Sequence, residues 1–298
     1  MPASMGGHEY AGRLGNLLQE LAPRDGLATR LHVVTLGRFA LFLAGEHIGT
    51  ARWDRPKVQK LFKYLLTAPN HAAHRDVLMD ALWPELPVDA AWSNLKNAIY
   101  RLRRVLEPQL LPRQSSRFLV AEGPSYRLVL GPQDRWDAAA FLRQAEAAQC
   151  SRRDEDFAAA AALYGGDYLP DDVYQDWTIE LRERLRTTYE RLLLAWGEAL
   201  AGQGACEQAI EVTEHLLRLD PTLEAAHRAL MGYYVAAGWR DHAVQQYRRC
   251  ALALQHELGL APDAETTGLY HRILHAQPTE DERDQSAIRR PPDAGPAP

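Results

Sequence analysis

The period of the apolar pattern changes once along this chain, near Gly131-Pro132, and that change limits what it can fold into. From Leu31 to that point short β-type runs bracket helical ones; beyond Arg135 strand signals vanish and a helical period runs to about Leu274. With 298 residues and 46% hydrophobic content, the chain supports two domains without disulfide or metal staples. The expected layout is a flexible leader over 1–30, an α+β module over 31–131, an all-α domain over 132–276 and a disordered tail over 277–298. The tail reading rests on the run Arg290-Pro291-Pro292-Asp293-Ala294-Gly295-Pro296.

Within the first module, Leu31 to Leu36 and Phe39 to Leu43 read as strands separated by Gly37. Pro56 opens a helix whose Val58, Leu61, Phe62, Leu65 and Leu66 share one face until Pro69-Asn70. A second helix, His74 to Trp83, turns Val77, Leu78, Ala81 and Leu82 inward, and a third, capped by Asp89, runs to Leu106 before Pro108. Arg117 to Val120 and Tyr126 to Leu130 flank a Gly123-Pro124 turn as a hairpin. Strands, three helices and a hairpin make a winged helix-turn-helix.

Charge is divided unequally between the modules. Residues 31–131 hold fourteen Lys and Arg against eight Asp and Glu, a balance of +6, while the rest of the chain carries −11 of the net −5. A basic block joined to an acidic one suits a nucleic-acid-binding module with a regulatory partner. No apolar run approaches the roughly 20 residues a bilayer requires, and the N-terminus lacks a signal pattern, so a cytoplasmic, nucleoid-associated protein with no membrane partner is expected. Cys150, Cys206 and Cys250 show no paired spacing and read as reduced, mostly buried thiols.

The third helix carries the chemistry. Leu95, Ala98, Ile99, Leu102, Val105 and Leu106 form an apolar stripe. The opposite strip holds Ser93, Lys96, Asn97, Tyr100, Arg101 and Arg104, one helix wide. Asn and Arg pair bidentately with adenine and guanine edges in a major groove, which admits one helix. Arg103, beside the strip, and Arg104 are expected at phosphates. In the wing, Arg117, Ser125 and Arg127 are candidates for the minor groove, and Tyr126 either touches the DNA backbone or packs. The amide end of the second helix, with Arg75, is a candidate phosphate site. Lys57, Lys60 and Lys63 are read as a solvated face, and the whole strip is open to the same plain reading.

The helical half repeats at an offset of 34: Gly204 with Gly238, Ala209 with Ala243, Ile210 with Val244. That period belongs to tetratricopeptide-like helix pairs. The groove of such a domain is a candidate site for a peptide or small anionic effector near Arg152, Arg153, Arg182, Arg184 and Arg186, although solvated helix faces account for the same arginines. Tyr164, Tyr168, Tyr174, Trp177, Trp196, Tyr233, Tyr234 and Trp239 are expected mostly in the core. No Walker loop, GxSxG, HExxH or GxGxxG is present, so no enzyme and no cofactor is expected. His71 with His74 and His271 with His275 have metal-compatible spacing but lack a partner set. A tetratricopeptide-type scaffold with the winged helix as a docking module is the competing reading.

The chain resembles the SARP type of actinobacterial-style transcriptional activators, a response-regulator-type winged helix followed by a bacterial transcriptional activation domain. The resemblance rests on Arg55-Pro56-Lys57, Leu82-Trp83-Pro84, Asn94-Leu95, Tyr100-Arg101-Leu102-Arg103-Arg104-Val105-Leu106 and Gly123-Pro124-Ser125-Tyr126-Arg127-Leu128. It continues through Leu217-Arg218-Leu219-Asp220-Pro221, Glu224-Ala225-Ala226-His227-Arg228 and Glu257-Leu258-Gly259, spanning about 31 to 275. The family usually has a second glycine where Ser125 stands. The resemblance implies binding of double-stranded DNA at direct repeats as a tandem homodimer. It also implies contact with RNA polymerase through the loop before the recognition helix, here Pro84 to Val88. Larger relatives carry an ATPase module after the helical domain; no such module and no receiver domain is visible in this sequence.

Overall fold

The structure, a computed structural model, describes residues 31–111 and 113–275. The expected leader and tail lie outside the described residues. The chain divides into two compact units, one holding residues 31–146 and 158–189, the other 147–157 and 190–275.

The first unit opens on β1 (Leu31–Val34), β2 (Ala40–Leu43) and β3 (Glu46–His47); β1 alternates buried and half-buried residues, β2 buries Ala40 and Leu41, and β3 is exposed. A fourth strand, β7 (Arg135–Trp136), lies parallel to β1, giving the order β3-β2-β1-β7. The expectation that strands end before Arg135 is corrected by these residues, because a two-residue strand is too short to carry a period. The next residue, Asp137, starts helix α4 (Asp137–Ser151) and accepts hydrogen bonds from the Thr35 and Leu36 amides and the Thr35 hydroxyl. Burial raises its carboxyl pKa, and those bonds oppose the rise.

Helices α1 (Pro56–Thr67), α2 (Arg75–Leu82) and α3 (Val88–Leu106) complete the core. Val58, Leu61, Phe62, Leu65 and Leu66 of α1 are all buried, as their spacing predicts. Lys63 is buried as well, which corrects its assignment to a solvated face. Its ammonium lies 2.6 Å from the Asp172 carboxylate and 4.4 Å from the Phe39 ring centroid. Lys57 likewise turns inward and donates to the Leu82 carbonyl. In α2, His74 caps the first turn, Met79 is buried, and Val77, expected inside, is 49% exposed. Helix α3 begins one residue before Asp89, with Pro87 at the cap position; Asp89 falls in the first turn, where its charge suits the helix dipole.

The wing, β5 (Leu119–Glu122) and β6 (Ser125–Leu128), carries a third strand that the pattern did not reveal. This is β4 (Ala72–His74), which pairs with β6 in the register Ala73 to Tyr126. The hairpin is therefore fixed to the start of α2, where the Arg75 amide donates to the Pro124 carbonyl.

Helix α5 (Asp154–Ala162) and the segment to Tyr189 belong largely to this unit. There the backbone of Leu36 pairs with that of fully buried Tyr168, whose hydroxyl lies 2.7 Å from that of Thr67. Tyr174, expected in the core, is 92% exposed.

In the second unit, the end of α6 (Ile179–Gly202) leads into α7 (Cys206–Leu219), α8 (Glu224–Ala236), α9 (Arg240–Leu258) and α10 (Ala264–His275). The repeat is physical: Gly204 and Gly238 adopt left-handed φ of 80° and 77° between successive helices, and Ala209 and Ala243 are fully buried. Cys150 is exposed, Cys206 half-buried and Cys250 buried, so the expectation of mostly buried thiols fails at Cys150.

Gly37 is the glycine with least room in the first unit: with φ of 78°, an added Cβ would fall 2.3 Å from the Gly165 carbonyl oxygen. Gly37→Ala should therefore cost about 3 kcal/mol or more, combining left-handed strain with a backbone clash. Gly45→Ala, at φ 84° in open space, isolates the strain and should cost about 1 kcal/mol. Urea denaturation of both variants checks the difference.

Candidate nucleic-acid interface

The apolar stripe of α3 is buried at every expected position, Leu95, Ala98, Ile99, Leu102, Val105 and Leu106, with Ala91 added. Burying one side of a helix fixes the side it presents. Ser93, Lys96, Asn97, Tyr100 and Arg104 are exposed there, with Tyr100 at 65% exposure. Arg101 lies at the edge, half-buried and ion-paired with Asp54, which sits at a left-handed φ of 61° after the turn Thr50–Trp53. Arg104 donates to the Leu110 carbonyl 3.2 Å away and stays exposed.

Arg103 has a different part from the phosphate contact expected of it. Its Nε and Nη2 both donate to the Leu119 carbonyl, at 3.2 and 3.1 Å, clamping α3 to the first residue of β5. The sequence did not reveal this contact, because a residue beside an exposed strip faces whatever strand packs there, and only the fold supplies that strand.

The wing arginines are also engaged. Arg117 precedes β5 at the end away from the Gly123-Pro124 turn. It sits over Phe118 and 3.3 Å from Asp134, which also receives the Leu31 and Gly131 amides. Arg127 forms a fork with Glu122, at 2.8 and 2.9 Å, and donates to the Asn70 carbonyl. This pair holds the Glu122 carboxyl below its ordinary range. Ser125 is half-buried, and Tyr126 packs against the core. The expected open amides at the start of α2 are occupied, Arg75 by Pro124 and Asp76 by the His74 ring.

One grouping was missed from sequence. Trp92, half-buried on the first turns of α3, has the Arg75 guanidinium and the Lys96 ammonium each 5.4 Å from its ring. Two cations on one aromatic, drawn from α2 and α3, make a positive edge beside the exposed strip. The i to i+4 spacing of Trp92 and Lys96 was a legible signal; the position of Arg75 was not. Among the described residues no cluster of metal-ligating side chains occurs and no helix is long and apolar enough to cross a membrane.

Comparison with known proteins agrees with this architecture. Residues 54–128 match the family model described as transcriptional regulatory protein, C terminal, and residues 136–274 match the bacterial transcriptional activator domain. Transcriptional regulatory protein MoaR1 of Mycobacterium tuberculosis is 29% identical over 240 residues, covering 76% of this chain and 74% of MoaR1. Regulatory protein AfsR of Streptomyces coelicolor is 28% identical over 247 residues, 82% of this chain but 24% of AfsR. A solved structure of Mycobacterium tuberculosis EmbR in complex with low affinity phosphopeptide superposes with a TM-score of 0.71 at 23% identity. The match covers 87% of this chain and 69% of that one. A strand-rich winged helix followed by an activator-type helical domain defines a transcriptional regulator, not an enzyme. With both models matched in this order and regulators of that build among its relatives, the chain is similar to SARP-type regulators across both of its matched segments.

The Arg103 clamp has a consequence independent of any ligand. Arg103→Ala removes two hydrogen bonds from a charged donor and should lower unfolding stability by about 2 kcal/mol, read as a shift in the thermal midpoint.

Proposed function

We propose that this regulator binds double-stranded DNA in a sequence-specific way, reading the major groove through α3. The carrying observation is the exposed strip of Ser93, Lys96, Asn97 and Tyr100 on a helix whose other side is committed to the core. Asn97 and Arg101 read base edges, while Lys96, Tyr100 and Arg104 meet base edges or backbone oxygens. Arg101 does so by exchanging Asp54 for the nucleic acid, since a half-exposed ion pair is worth little against a phosphate or guanine. Arg75, held over Trp92, contributes a phosphate contact at the flank. The wing enters the neighbouring minor groove with Arg127 and Ser125, and Arg117 supports its base.

The family resemblance extends this reading to activation: two copies on direct repeats, head to tail, with RNA polymerase met by Pro84 to Val88. That loop is exposed throughout, Leu86 to 40% and Val88 to 71%, so its apolar side chains are open to a partner. The regulator would work at the nucleoid in the cytoplasm.

Fluorescence anisotropy with random and selected duplexes across a salt series tests the reading. The wild type should prefer a selected repeat in a salt-sensitive way, and the Asn97→Ala, Arg101→Ala double variant should lose about 2 kcal/mol or more of that preference. Equal binding of both proteins to both duplexes would remove α3 as the reading element. Glu122→Gln, which releases Arg127 from its fork, should tighten binding to all duplexes about two- to fivefold at low salt without changing the preference.

A further inference from the structure

A second polar site lies in the helical unit, where residues of α7, α8 and α9 line an open groove of about 370 Å³. Its volume falls in the range of small-ligand sites. Its apolar lining comes from Leu217, Pro221, Leu230 and Ala253. Its polar groups are Glu214 and Arg218 from α7, His227 from α8, and Gln246 and Arg249 from α9. These are separate from the arginines expected to hold an effector. Arg182 is spent on the Tyr168, Leu169, Asp172 and Val173 carbonyls, Arg153 on Asp156, and Arg186 on Asp167.

The central group is Gln246, which is 2% exposed. The His227 ring fixes its orientation. Nε2 of His227 lies 3.0 Å from the Pro221 carbonyl, which can only accept, so Nε2 carries the proton. Burial lowers the His227 pKa and keeps the ring neutral near pH 7, leaving Nδ1 as an acceptor. The Gln246 side chain, 2.6 Å from Nδ1, therefore donates its NH₂ there. Its carbonyl Oε1 is then a buried acceptor with no partner among the described residues. A buried carbonyl left unmatched is unfavourable, and a donor entering the groove would satisfy it.

The charges around this acceptor are ordered. Arg218 and Arg249 are exposed and have no ion-pair partner among the described residues. Glu214 accepts from the Tyr234 hydroxyl at 2.8 Å, which leaves its other oxygen available. Two cations, a carboxylate and a neutral acceptor lining one groove with apolar side chains complement one small-molecule pattern: a carboxylate beside an N–H donor, with an apolar side chain.

We propose that this groove binds a small zwitterion of amino-acid type, either a free α-amino acid with an apolar side chain or the carboxyl end of a short peptide. The carboxylate pairs with Arg218 and Arg249, the N–H donates to Gln246 Oε1 and Glu214, and the side chain covers Leu217 and Leu230. Binding of this kind would give the regulator an input in its helical unit.

Isothermal titration of the full chain, without DNA, tests the site with L-leucine, glycyl-L-leucine, N-acetyl-L-leucine and the carboxylate-free N-acetyl-L-leucinamide. Saturable binding is expected for at least one of the first three and none for the last. L-leucine binding more tightly than the dipeptide assigns a free amino acid; the reverse order assigns a peptide end. The Arg218→Gln, Arg249→Gln variant, altered only at exposed positions, should weaken binding about tenfold or more. Gln246→Leu, checked for helicity by circular dichroism, should weaken it as well. If no carboxylate probe saturates up to about 10 mM, or the double arginine variant binds as the wild type does, the proposal is overturned. Because no DNA is present, either result leaves the reading of α3 to its own assay.

Discussion

Everything at the candidate interface depends on the packing of α3 against α1 and α2. Leu95, Ile99, Leu102 and Leu106 interlock with Leu61, Leu65, Leu78 and Leu82 in one continuous core. A helix has one axis and a fixed residue angle, so committing those side chains inward leaves no freedom over which residues point out. The exposed strip is the geometric complement of the core. Chemistry that would be diffuse on a free helix is thereby held on a rigid element.

Around that element the fold uses basic residues for structure as often as it exposes them. Lys63, Lys57, Arg103 and Arg182 all end on carbonyls or a half-buried carboxylate. Arg101 and Arg127 sit between the two uses, paired with exposed acids that compete weakly in water and more weakly still against a polyanion. Such pairing orders the side chains before a ligand arrives, while Glu122 and Asp54 reduce the bare positive field. The net charge of the module alone therefore overstates how many of its cations are free.

The helical unit obeys a different economy. Its repeated glycines end helices, and its repeated alanines let neighbours approach, so neighbouring helices stack with their small residues inside. Stacking of this kind leaves grooves between helices, and the one between α7, α8 and α9 ends on an acceptor that the protein itself does not satisfy. Packing made the groove; the His227 tautomer decided which atom of Gln246 faces an unmet need.

Much of this was legible beforehand. The three helices, the wing, the repeat at 34 residues and the apolar stripe of α3 followed from period and punctuation, because each is a local property repeated often enough to stand above noise. Strands β4 and β7 were not, since three and two residues carry no period and exist only through partners far along the chain. Long polar side chains were legible as to type and face, but not as to partner. Lys63 meets Asp172, Arg103 meets Leu119 and Arg75 meets Trp92 across separations that no local pattern encodes. By itself the sequence determined that strands and helices come first and helices alone later, and which side of α3 is polar, both of which hydrophobic burial dictates from local order; that residues 132–146 and 158–189 pack with the first unit was not legible. The tertiary structure alone decided which cations are spent within the fold and which remain exposed, because that depends on carbonyls and carboxylates brought near by folding.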